Sequence, residues 1–153
     1  VYRYVVKERG KTGIILFGMN NESVKKILRS RSGMIGTDGL YFGRPHPRTF
    51  GTTSRLLEKY VKKEKVISLE DAIKKMSSLP ARKARLRERG EIKEGFYADL
   101  VILNLKEIRE RSTYEKPFLY PDGITSVVLN GKMVKEKGKI IDRTKGKVLA
   151  SSG

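Results

Sequence analysis

The sequence predicts an α/β fold that passes into antiparallel β structure, and three observations carry that expectation. Two apolar runs without alternation, residues 12–19 and 34–38, bracket a capped amphipathic segment at 21–30. Runs of that kind suit parallel strands buried on both faces, which need a helical crossover between them. After Gly90 the pattern becomes short strands separated by tight turns, with Asn130-Gly131 as the clearest hairpin signal.

Taken in order, Tyr2 to Gly10 reads as the end of a helix, with basic residues near its C-terminus and a glycine just beyond. Residues 12–19 read as the first strand. Asn20 or Asn21 caps the next helix, whose apolar stripe is Val24, Ile27 and Leu28. Residues 34–38 read as a second strand, parallel to the first, with a right-handed crossover. Residues 39–53 read as a long loop with Gly39, Gly43, Pro45 and Pro47 in it. Loops of that length in compact domains are usually functional or disordered. Ser54 then opens a helix carrying Leu56, Leu57, Tyr60 and Val61. Ser68 caps another, with Asp71 in the third helical position and Leu69, Ala72, Ile73 and Met76 facing inward. Pro80 interrupts, and Ala81 to Arg89 reads as a short helix stopped by Gly90. Strands follow at 98–103, 124–129, 132–135 and 139–142, the last two joined through Lys137-Gly138. The last four residues, Ala150 to Gly153, read as a frayed end.

The totals narrow the chemistry. The 153 residues include no cysteine and one histidine, so neither a disulfide nor a self-contained multi-histidine metal site is possible. No apolar run approaches the roughly 20 residues of a membrane span, and no basic-then-apolar segment opens the chain. A cytoplasmic protein is the expectation. The formal net charge is +17, from 34 Lys and Arg against 17 Asp and Glu. Such a balance raises a basic module that binds nucleic acid or another acidic partner. The cations are spread along helices and turns, however, and are not interleaved with aromatics as a stacking platform requires. A solvated basic surface is the simpler reading, and a third of the residues being charged also suits a heat-adapted protein with surface ion pairs.

The segment from Met34 to Thr53 is the most informative. An apolar run leads into Asp38, and Gly39 and a polar loop with the sole histidine, His46, follow. An acid at the end of a buried strand, opening onto a loop, is how a barrel enzyme places a catalytic carboxylate. The alternative is an Asp that caps a turn before glycine. Arg48 can grip a carboxylate through two parallel hydrogen bonds, and His46 can orient substrate or support Asp38. Arg44 is a weaker candidate on the same loop. Gly18, Met19 and Asn20 end the earlier run, with a helix cap as the simpler role for Asn20. The Lys and Arg residues between Lys74 and Arg89 read as a solvated helix face.

Thr37-Asp38-Gly39, His46-Pro47-Arg48 and Gly51-Thr52 resemble the last barrel strand and following loop of the amidohydrolase superfamily, and of its D-aminoacylases (N-acyl-D-amino-acid deacylases) above all. The likeness continues through Ser68 to Arg82, through Arg89 to Val101 with its G-x-I-x-x-G-x-x-A-D-L-V pattern, and through Val128 to Gly131. Asp99 falls in that pattern and is expected to be structural.

The resemblance implies the last two strand–helix units of a (β/α)₈ TIM barrel at residues 1–89, followed at 90–150 by part of a small antiparallel β-domain. It implies a zinc-dependent hydrolase acting on the amide of a small molecule, an N-acyl-D-amino acid. Asp38 is then the catalytic proton shuttle and a contributory metal contact, and His46 and Arg48 are substrate-binding. The superfamily's histidine ligands lie on earlier strands, so this chain is expected to be a C-terminal fragment, inactive alone. Its strand edges would pair with the rest of the barrel or with another copy. A cyclic amidase of the hydantoinase or dihydroorotase kind is the alternative within the superfamily, and the His-Pro-Arg and Gly-Thr residues argue against it.

Overall fold

The computed structural model describes residues 2–9, 18–41 and 43–149. Helices α1 (Tyr2–Lys7), α2 (Asn21–Arg29), α3 (Arg48–Arg55), α4 (Leu69–Met76) and α5 (Ser78–Lys83) precede strands β1 (Leu100–Leu103), β2 (Ile124–Leu129), β3 (Lys132–Glu136) and β4 (Lys139–Ile140). Between α3 and α4 the backbone continues as a π-helical segment, Leu56–Lys63.

The caps behave as the sequence predicts. The Asn20 side chain accepts a hydrogen bond from the Ser23 amide at 2.8 Å, and Ser68 Oγ accepts one from the Asp71 amide at 3.0 Å. Each satisfies a donor that the first helical turn leaves unpaired. Leu28 and Ala72 are buried on the inward faces of these two helices. They join Leu56, Leu57, Tyr60, Val66 and Ile108 in one core, with Leu103, Leu105 and Ile124 packed against it. The helices and the start of the β segment therefore share a core.

The sheet is an antiparallel meander in the order β1-β2-β3-β4. Asn130 and Gly131 turn at φ of 50° and 76°, and Lys137 and Gly138 at 45° and 79°. Positive φ at both central residues is the hairpin turn whose twist matches the flanking strands. Asp99 is structural here: it pairs with Arg89 and accepts the Asn130 amide at 2.7 Å. Arg89 also donates to the Asn130 side chain at 3.0 Å and lies over the Tyr97 ring. One ion pair thus fixes both the entry to β1 and the turn after β2.

Several expectations need correction. Residues 34–38 form no strand among the described residues; the backbone there is irregular, and the Ile35 amide donates to the Lys75 carbonyl at 3.1 Å. The other expected strand, residues 12–19, lies outside the described residues except for positions 18 and 19. Gly18, Met19 and Asn20 are irregular and exposed.

The loop ends sooner than read. Helix α3 begins at Arg48, not Ser54, because Pro47 presets the backbone at its entry (φ −50°) and His46 Nδ1 accepts the Arg48 amide. The weak helix formers Gly51, Thr52 and Thr53 hid it. Helix α5 spans Ser78–Lys83 rather than 81–89, with Pro80 in its first turn, where no amide donor is needed.

Ile27 and Ile73 point outward, 57% and 43% exposed. Lys75 is buried in place of Ile73, and its ammonium donates to the carbonyls of Ser30 and Gly33, the latter at 3.0 Å. A buried ammonium is tolerable only with such acceptors. It anchors the turn that leads from α2 towards Asp38.

Candidate functional site

The turn Thr37-Asp38-Gly39 sits at the end of the irregular run. Asp38 has φ of 44°, a left-handed conformation that Asp tolerates better than most residues but that carries strain for any side chain. Gly39 is required for space: a Cβ there would lie 2.9 Å from Thr49 Cα. The turn therefore rests directly on the first turn of α3.

That contact brings Arg48 to Asp38. Arg48 Nη2 lies 2.7 Å from Asp38 Oδ2, and Arg48 Nε donates to the Asp38 carbonyl at 3.0 Å. One guanidinium thus holds both the side chain and the main chain of one residue. The Asp38 side chain remains 80% exposed. An exposed pair of this kind contributes about 0–1 kcal/mol to stability. It sets the direction of the carboxylate rather than the stability of the fold.

His46 faces the other side of Arg48. Its Nδ1 accepts the Arg48 amide at 3.0 Å, and its Nε2 lies 3.1 Å from the Tyr114 hydroxyl. The two rings meet edge to face, with centroids 5.1 Å apart. An Nδ1 that accepts a hydrogen bond carries no proton, so the neutral ring has its proton on Nε2 and donates it to Tyr114. Burial, and then the positive charge of Arg48, push the His46 pKa below its ordinary value, which favours that neutral ring.

Asp38, His46 and Arg48 are therefore brought together, with Arg48 on the Asp38 carboxylate and His46 on the Arg48 amide rather than on Asp38. Arg44 is not with them; its guanidinium donates to the Glu115 carbonyl. Asn20 is occupied as a helix cap. Sequence reasoning missed Tyr114, which lies 68 positions from His46 in a polar excursion with no periodic signal. It also missed the aromatic cluster beside the loop, where Phe50 packs edge-on against Tyr120 at 5.3 Å and near Tyr41 and Phe118. An open groove of about 580 Å³ runs between Gly43-Arg44 and residues 115–119; Asp38, His46 and Arg48 do not line it.

Among the described residues no three His, Cys, Asp or Glu side chains gather as metal ligands. One carboxylate and one imidazole whose ring nitrogens are both engaged do not make the three- or four-ligand set that zinc takes. The described residues do not fit zinc on their own.

Comparison with known proteins gives the family. The amidohydrolase family model (Amidohydro_3) matches residues 3–135. The chain belongs to the amidohydrolase family. A D-aminoacylase of Alcaligenes xylosoxydans xylosoxydans is 37% identical over 147 residues, which cover 95% of this chain and 30% of that protein. The crystal structure of a D-aminoacylase that defines a subset of amidohydrolases superposes with a TM-score of 0.87 at 38% identity, covering 96% of this chain and 31% of that one. An N-acyl-D-glutamate deacylase from Bordetella bronchiseptica, solved with zinc and a phosphonate mimic of the tetrahedral intermediate, superposes at 0.74 with 34% identity, covering 82% and 28%. This amidohydrolase chain thus spans about a third or less of the length of the relatives it matches. No helix among its described residues is long and apolar enough to cross a membrane.

Proposed function

We propose that this chain is the part of a zinc-dependent N-acyl-D-amino-acid deacylase that carries its catalytic aspartate. The reaction is hydrolysis of the amide to a carboxylate and the free D-amino acid. The observation that carries the reading is the strained Asp38 turn held from α3 by Arg48, within a chain whose relatives are deacylases of this class. In the same reading residues 1–89 belong to the end of the barrel, where residues 34–38 gain a ladder partner only in the complete protein, and residues 90–150 supply a segment of the small β-domain.

Zinc held by the complete site would supply a water of lowered pKa, about 7. The main ligands belong to other parts of the protein, with Asp38 a contributory contact at most. Asp38 accepts the proton of the attacking water and passes it to the leaving nitrogen as the C–N bond breaks. Its fixed backbone and the Arg48 contact hold the carboxylate in one direction for both transfers. Arg48 commits Nε and Nη2 to Asp38, and no other partner of its guanidinium is seen among the described residues. Its remaining donors suit the α-carboxylate of the substrate. His46 supports Arg48 from its amide side.

The test is hydrolysis of N-acetyl-D-amino acids by the longest form of the protein that contains these residues. Turnover of the D-substrates with little for L-enantiomers or cyclic amides supports the reading. Ring opening of hydantoin or dihydroorotate in preference to them replaces it with the cyclic-amidase alternative.

A further inference from the structure

The segment between β1 and β2 reaches over the Asp38 loop. Ser112 Oγ donates to the Pro47 carbonyl at 2.9 Å, and Glu110 pairs with Arg55 at 2.9 Å. Helix α3 packs so closely there that a Cβ on Gly51 would meet Glu110 Oε1 at 2.8 Å. Tyr114, in the same segment, meets the His46 imidazole. We propose that Tyr114 is a positioning residue: by accepting a hydrogen bond from His46 Nε2–H it keeps Nδ1 as the acceptor of the Arg48 amide, and so holds the Arg48 guanidinium against Asp38.

The chemistry of the ring makes this directional. A neutral imidazole has one donor and one acceptor, and the hydrogen bond at one nitrogen fixes the role of the other. The Arg48 amide is a donor at the start of α3, where no helical carbonyl precedes it, and His46 supplies the acceptor. Without the tyrosine hydroxyl the ring loses its acceptor at Nε2 and can rotate or protonate at Nδ1, and the Arg48 amide then loses its partner. Arg48 has its guanidinium on Asp38, so the first turn of α3 carries the effect to the carboxylate. The consequence for turnover rests on the deacylase reading; the hydrogen-bond relay does not.

His46 is the only histidine of these 153 residues, and in the complete protein its ring signals are those that vanish in a His46→Gln control. The comparison is wild type against Tyr114→Phe, which keeps the ring and removes only the hydroxyl. In the wild type the neutral ring carries its proton on Nε2, protected from water. In Tyr114→Phe that proton exchanges freely, and exchange of the Arg48 amide rises roughly three- to tenfold, the scale of one lost hydrogen bond, while the Ala72 amide in α4 is unchanged. A wild-type ring protonated on Nδ1, an Arg48 amide that does not respond, or an equal response at Ala72 overturns the proposal. None of these readouts needs activity. A relay seen by NMR in a parent protein without deacylase activity supports the relay and overturns the functional reading instead.

Discussion

At the scale of single residues, the proposed reading gives Asp38 the proton and Arg48 two tasks, the substrate carboxylate and Asp38. Arg48→Met removes a donor to substrate and to Asp38 together. A lost carboxylate contact weakens ground and transition states alike, so steady-state kinetics of the complete enzyme should show KM rising by about tenfold or more. A change confined to kcat would reassign Arg48 to orientation of Asp38 alone. Gly39→Ala tests the turn: the added Cβ meets Thr49 Cα at 2.9 Å, which is backbone and cannot swing aside. Denaturant unfolding should report a loss of about 1–3 kcal/mol, and unchanged stability would mean that the turn is not seated on α3. That Asp38, His46 and Arg48 lie near one another was legible in the sequence, because they fall within eleven positions in a loop whose Gly and Pro residues mark it. Tyr114 was not, because nothing local in a polar excursion says which distant ring it meets.

At the scale of elements, the joint between the π-helical segment and the strap after β1 rests on Glu58. Its carboxylate accepts the Glu110 amide at 2.8 Å and pairs with Lys63 at 2.7 Å, five residues on, a spacing that suits the wider π turn. Burial raises its pKa, but the hydrogen bonds from Lys63 and from the Glu110 amide outweigh that, and the group sits below its ordinary value. A carboxylate lowered in the folded state stabilises the fold above its unfolded value, near 4.5, and loses that contribution as pH falls through the folded value. Stability followed from neutral pH into that acid window should therefore fall less steeply in Glu58→Gln than in wild type. Parallel curves would remove Glu58 from the joint. The helix caps and both hairpin turns were readable from local chemistry at Asn20, Ser68, Asn130-Gly131 and Lys137-Gly138. The entry to α3 was misread because the residue that completes it, His46, accepts through a ring rather than through a usual capping side chain. The inward face of α4 was misread because Lys75 is buried by acceptors from another element, which helical periodicity cannot show.

At the scale of the whole molecule, much apolar surface is exposed: Tyr2, Tyr4, Val5 and Val6 on α1, and Val101, Ile102 and Ile140 on the sheet. Surface of that kind marks a place where another surface belongs. In the proposed reading the remainder of the barrel covers part of it. The purified 153-residue chain should therefore self-associate at micromolar concentration in sedimentation velocity, and a monodisperse monomer would contradict the fragment reading. The same preparation should show no tight zinc binding, since no three ligand side chains gather among its described residues. Stoichiometric micromolar binding would mean that the ligand set has been misread. The central claim is that Asp38 moves the proton, and the turnover of Asp38→Asn in the complete enzyme tests it most directly. The side chains have nearly equal volume, so the fold and the zinc content should persist while kcat falls by at least the roughly 10²–10⁴-fold that a positioned acid–base group contributes. An Asp38→Asn enzyme with full zinc and near-normal kcat would reduce Asp38 to a turn residue and contradict the account.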